Sequence, residues 1–185
     1  MSTQITIASK LPYKSYVALL TQNGSEDKQE YIVNYGEVPG LWPNLPIGTT
    51  LVILQNDSKS DFTISGAPNN VAGTWFIYNG IPPKIFAPER AGGIVDIGYD
   101  LGAPIATVLE NTIGNIWWTY NGAGTYNLNS LELFINDKTY CQNVVLSQAP
   151  TFLYHNLIDT STIEFLSTDG DDILRSAPLE IRVYN

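Results

Sequence analysis

The chain has 185 residues, with nine Lys and Arg against eighteen Asp and Glu, a net charge of −9 and 44% apolar residues. That length and apolar content suit one buried core rather than two domains. The negative charge opposes a phosphate backbone and gives no polybasic cluster for an anionic bilayer, so nucleic acid is not an expected partner.

Charged residues make up 15% of the chain, below the roughly one quarter of ordinary soluble domains. Asn, Thr, Ser and Tyr take their place, which predicts a neutral-polar surface rich in rings. Fifteen Gly and eleven Pro predict many turns. A single cysteine, Cys141, leaves no intrachain disulfide framework and no thiolate metal site. The first residues lack the basic start and apolar core of a signal peptide, and no apolar run is long enough for a spanning helix. A chain made as a soluble cytoplasmic protein is expected, with any action outside the cell following release.

Polar and apolar residues alternate over residues 4–8, the pattern of a half-buried strand. Further strands are expected at 16–21 and 31–35, separated by a loop with an Asn23-Gly24 turn signal. Residues 36–48 hold Pro39, Pro43 and Pro46 around Trp42, an irregular loop that presents a tryptophan. Residues 51–54 and 62–65 read as short strands. Residues 73–127 then alternate turn chemistry with short apolar runs at 75–78, 94–97, 105–109 and 113–120. Asn121 to Gly124 reads as a mobile loop.

Residues 130–135 place Leu131, Leu133 and Ile135 on one face and Phe134 on the other, and Asn136-Asp137-Lys138 turns that strand into a hairpin partner at 139–146. Strands at 151–158, 160–166 and 179–184 complete the chain, and the least improbable helix is a very short one at 170–176. About ten to twelve short strands at roughly 8–12 residue spacing predict an all-β, antiparallel β-sandwich. One domain over residues 1–185 is expected, with 1–50 as an N-terminal extension packed on the same sandwich.

The chain has one histidine, His155, and with Cys141 it gives no convincing nucleophile setting and too few ligands for zinc. No enzyme and no cofactor are expected. Asp169, Asp171 and Asp172 cluster around Gly170 as calcium ligands do, but the same residues make an ordinary acidic turn. Asp96 and Asp100 are candidate hydrogen-bond acceptors for sugar hydroxyls or a headgroup, with turn stabilisation as the other reading. Trp117, Trp118, Tyr120 and Tyr126, with Asn121 between them, are the candidate ring contacts, and Trp42 is a second anchor. Adjacent tryptophans on a strand point to opposite faces, so one of Trp117 and Trp118 belongs to the core and the other to the surface. An apolar ring with a polar tip suits a bilayer interface or a sugar face.

Asn56-x-Ser58 after an apolar strand, Gly73-Thr74-Trp75, Pro82-Pro83-x-Ile85-x-x-Pro88, Gly92-Gly93, Gly114, Trp118-Thr119-Tyr120-Asn121-Gly122 and Tyr126-Asn127 occur in an order that resembles the aegerolysin group. Through fold the chain resembles the actinoporin-like cytolysins and fungal fruit-body lectins. The resemblance implies a two-sheet sandwich whose loops recognise a membrane lipid or a glycan, often as the binding component of a multi-chain toxin. The part before Leu51 has no counterpart in it, and no amphipathic N-terminal helix is present to pierce a bilayer.

The leading expectation is therefore a membrane-lipid-binding, cytolysin-like defence or toxin protein in peripheral contact with the membrane. A carbohydrate-binding lectin on the same sandwich and a coat or inclusion subunit are the alternatives. A lipid headgroup or glycan is the expected ligand, and a second copy of the chain or a toxin chain the expected protein partner.

Overall fold

Apolar residues recurring at every second position send most of the described residues into antiparallel ladders. The computed structural model describes residues 12–21, 29–34, 45–56, 60–85, 94–100, 102–143, 153–167, 174 and 177–185. Among the described residues fourteen strands run in the order β1 (Tyr13–Thr21), β2 (Gln29–Asn34), β3 (Thr50–Asn56), β4 (Ser60–Asp61), β5 (Trp75–Ile77), β6 (Lys84–Ile85), β7 (Ile94–Tyr99), β8 (Ile105–Asn111), β9 (Ile116–Gly122), β10 (Thr125–Ser130), β11 (Thr139–Asn143), β12 (Leu153–Leu157), β13 (Thr162–Ser167) and β14 (Ala177–Tyr184). Among the described residues no helix is long and apolar enough to cross a membrane.

Three four-stranded sheets result, in the orders β11-β14-β1-β8, β12-β13-β10-β9 and β2-β7-β3-β5, with a two-stranded β4-β6 ladder beside them. We refer to them as sheets I, II and III. Sheets I and II share one core. Tyr16, Ala18 and Leu20 of β1 and Leu179, Ile181 and Val183 of β14 meet Trp118 of β9, Tyr126 and Leu128 of β10, and Ile163 and Phe165 of β13. Their alternation with outward polar residues is what makes each sheet two-faced. Each large side chain removed from water in this way contributes about 1.5–3 kcal/mol.

Sheet III carries a core of its own, built from Leu51, Ile53, Phe62, Phe76, Tyr78 and Ile97, where the aegerolysin resemblance implies two sheets. β1 is an inner strand of sheet I, held between β14 and β8, and β2 is an edge of sheet III.

Polar side chains join sheet III to β9 along the edge that faces away from β10. The Trp118 backbone N–H donates to Thr50 Oγ1 at 3.3 Å, and the Tyr120 N–H donates to Asp100 Oδ2 at 3.0 Å. Two donors that would be orphaned on an edge strand are thereby satisfied.

Four local expectations are corrected. Thr63–Ser65 forms one 3₁₀ turn instead of a strand, because Asp61 Oδ1 accepts from both the N–H and the hydroxyl of Thr63 and offers the backbone a local alternative to a ladder. The strand expected from Ile113 begins at Ile116, since Asn111 Oδ1 takes the Ile113 and Gly114 N–H groups. Asn121 and Gly122 belong to β9, and Ala123-Gly124 is the tight tip of the β9–β10 hairpin rather than part of a longer loop.

The hairpin expected over 130–146 does not form. Glu132 and Asp137 sit at φ 55° and 59°, Phe134 N–H donates to Thr160 O, and β11 pairs with β14. The two-faced alternation is consequently broken, with Phe134 buried, Leu133 half-buried against the core, and Leu131, Glu132 and Ile135 exposed. Residues 4–8, Trp42, the acidic group Asp169, Asp171 and Asp172, and the segment 170–176 apart from Leu174 lie outside the described residues.

A glycine sets the approach of sheet III to sheet I. Gly48 has φ +94° and donates to Tyr78 O, while its carbonyl accepts from the Ala106 N–H of β8; a Cβ there would stand 2.5 Å from Ala106 O. Gly48→Ala is expected to lower stability by about 1–3 kcal/mol through the left-handed φ alone, before the clash is added. An unchanged urea midpoint would show that this approach is not constrained.

Candidate functional site

Period-two alternation divides the ring cluster singled out in the sequence. Trp118 and Tyr126 are 0% exposed. Both rings are core, so their expected role in insertion or stacking on an outside ligand is corrected. Trp118 packs on Phe165 with centroids 5.2 Å apart and donates its indole N–H to the Tyr16 hydroxyl at 3.3 Å. Burial pushes the Tyr16 phenol well above its ordinary pKa, so it stays protonated. Tyr120 is half-buried and tilted against Tyr126 at 6.0 Å. Asn121 is exposed near the hairpin tip.

Asp100, a candidate ligand contact, is 2% exposed. Its two carboxylate oxygens accept the backbone N–H groups of Ala103 and Tyr120, which is the turn-stabilising role. Asp96 lies in β7 opposite Ile32 and Gln55.

Trp117 is the ring that reaches the surface. It stacks on Trp75 of β5, with centroids 6.4 Å apart and planes 11° apart. Trp75, which sequence reasoning left outside the site, is brought there because the Asn115 Nδ2 donates to its carbonyl at 2.9 Å. The Gly73-Thr74-Trp75 motif was legible in the sequence, but the proximity of β5 to β9 was not.

Register then sets out what accompanies the rings. Since Trp118, Tyr126, Leu128, Ile163 and Phe165 face inward, their neighbours on the same strands face outward. Trp117, Asn129 and Thr162 make one row across sheet II, and Thr119, Asn127, Glu164 and Asn156 make the next. Asn129 Nδ2 donates to Thr119 Oγ1 at 3.0 Å, which fixes that carboxamide. Asn127 Oδ1 is enclosed and has no hydrogen-bond partner. An enclosed acceptor of this kind is costly unless something supplies a donor. Glu164 is the single carboxylate in the two rows, and no cation stands among them.

A second aromatic group lies on the outer side of sheet I and was also missed. Tyr13, Tyr140 and Tyr184 gather round Arg182. Arg182 Nε donates to Glu180 Oε1 at 2.7 Å, and its hydrogen bonds to Glu180 and Tyr184 raise its pKa further. The three tyrosines are dispersed through the sequence and come together only through the β1–β14–β11 register. Because the arginine is already engaged within the chain, the group reads as a surface staple, and its exposed ion pair contributes little.

His155 stands on β12 with its ring 6.2 Å from Phe165, and burial holds its pKa below the ordinary imidazole value. Burial pushes the Cys141 thiol up to about 12. Cys141 is therefore expected to resist iodoacetamide at pH 8 in the folded protein and to react once urea unfolds it. Equal rates in the two states, read by mass spectrometry, would contradict the burial.

No family model, no curated protein and no solved structure matches the chain.

Proposed function

We infer that this protein is a carbohydrate-binding module whose binding surface is the outer face of sheet II. The carrying observation is the half-buried Trp117 ring, stacked on Trp75 beside outward rows of Asn, Thr and Glu side chains. A sugar ring offers an apolar face to an indole and a circle of hydroxyl donors and acceptors at its edge, and these two rows supply the complement. The carboxamides of Asn127, Asn129 and Asn156 and the hydroxyls of Thr119 and Thr162 are short side chains on a rigid sheet, so little freedom is lost on binding. Glu164 accepts from a hydroxyl but repels a phosphate, which favours a neutral glycan over an anionic headgroup.

A glycan array tests this directly. Retention of at least one glycan class is expected, with Trp117→Ala weakening it by about 2 kcal/mol or more, the scale of a central hot spot, while thermal unfolding stays near wild type. Failure to retain any glycan would remove the proposal.

Membrane contact is a second reading, favoured by a different observation. Leu131 (70% exposed), Ile135 and Ile158 project from the connections that follow β10 and β12 at one end of the sheets, and the bond from Phe134 N–H to Thr160 O ties those connections together. Aliphatic tips of this kind enter an uncharged interface without a basic anchor. Co-sedimentation with phosphatidylcholine, sphingomyelin and sterol vesicles is expected to fall on Leu131→Asp; absence of the wild-type protein from every pellet would exclude contact through this end.

A further inference from the structure

Between the end of β5 and the side of β8 that faces away from β1 lies a groove of about 380 Å³, at the smaller end of the roughly 300–1,000 Å³ typical of small-molecule sites. Ile47, Ile77 and Val108 provide apolar wall, and Asn79, Asn111 and Asn115 provide carboxamides. Among the described lining residues none carries a charge at neutral pH.

The carboxamides are fixed before any ligand arrives. Asn79 donates to Ile64 O and accepts from the Ile81 N–H. Asn111 donates to Gly114 O and accepts from the Ile113 and Gly114 N–H groups. Asn115 donates to Trp75 O, and its Oδ1 has no partner among the described residues. Each Nδ2 has a second hydrogen beyond the one already donated.

β8 contributes backbone as well. The Ala106 N–H points away from β1 to reach Gly48 O. In an antiparallel ladder the residue two positions on turns its N–H and C=O to the same side, and that residue is Val108.

We propose that this groove is a second ligand site, separate from the face of sheet II, that takes a single neutral, hydroxyl-rich ring such as one sugar unit. An ionic ligand would be desolvated here without a countercharge. A wholly apolar one would cover fixed polar groups and leave them unpaired. A ring with one apolar face and a hydroxyl edge meets both walls. The groove's lining does not include Trp117 or Asn127, so either site can fail while the other stands.

The test is saturation-transfer NMR on the full chain with millimolar methyl glycosides of hexoses and N-acetylhexosamines, followed by amide-shift mapping of the wild type and each variant. Transfer to at least one glycoside is expected, with shifts at Thr107, Val108 and Asn115. The groove shifts at Val108 and Asn115 should persist in Trp117→Ala and be lost in Thr107→Trp, whose indole fills the groove from an exposed strand position, while in Val108→Arg the shift at Asn115 should be lost. The amide fingerprint of each variant reports its folding. Shifts confined to Trp117, Asn127 and Glu164 would overturn the groove and leave the sheet face standing. An Asn115 shift unchanged in a folded Thr107→Trp or Val108→Arg protein, or no shift at the groove of the wild type with any glycoside, would also overturn it.

Discussion

Trp118→Ala is expected to cost about 3–5 kcal/mol of unfolding free energy, the scale of a large aromatic residue truncated in a packed core. The ring is 0% exposed and lies between the two sheets that share the larger core, against Phe165. Its removal opens a cavity and strips the Tyr16 hydroxyl of its indole donor, leaving a buried phenol that burial already holds far from ionisation. The backbone bond from residue 118 to Thr50 Oγ1 survives the substitution, so sheet III should stay attached while the shared core loosens. Urea unfolding followed by circular dichroism measures the loss. A variant as stable as wild type but deficient in ligand binding would return this ring to the recognition surface.

Asp100→Ala is the second large effect, expected at about 2–4 kcal/mol because buried N–H donors lose a charged acceptor and find no water in its place. The carboxylate is 2% exposed and spans two parts of the fold, holding the turn at Ala103 and the β9 edge at Tyr120. Hydrogen exchange separates this role from ligand contact. The Tyr120 amide should exchange faster in the variant, and amides of β13 should change much less. If stability and exchange are unaffected and only glycan retention falls, the side chain is a ligand contact.

Strands whose inner face is aliphatic or aromatic were legible in the sequence. β1, β13 and β14 bury every second residue, and a period of two states that directly; β10 alternates in the same way but was not among the expected strands. Segments governed by local side-chain bonds were not. Asp61, Asn111 and Ser130 each take backbone N–H groups that the periodicity assigns to ladders, and the positive φ of Glu132 and Asp137 breaks the alternation over 131–135.

The candidate site was half legible for a related reason. Alternation required one of Trp117 and Trp118 to be core but did not say which. Inner-face Leu128 and Ile163 decide it through register with Trp118. Trp75, the three asparagines of the groove and the tyrosines around Arg182 are joined across strands distant in sequence, and pairing at that range leaves no trace in a single chain's spacing.

The pairing of Tyr13–Thr21 with Ala177–Tyr184, where Tyr13 faces Tyr184, governs the order of events during synthesis. The first strand of sheet I can pair with β8 once residue 111 has emerged but must wait for β14 before its other ladder closes, so on a ribosome one of its edges stays unmatched while more than sixty further residues are made. Contacts this remote make for slow maturation and expose the nascent molecule to clumping. Assistance by a chaperone, or low temperature during production, should therefore raise the yield of native material more than any change at the ligand surfaces.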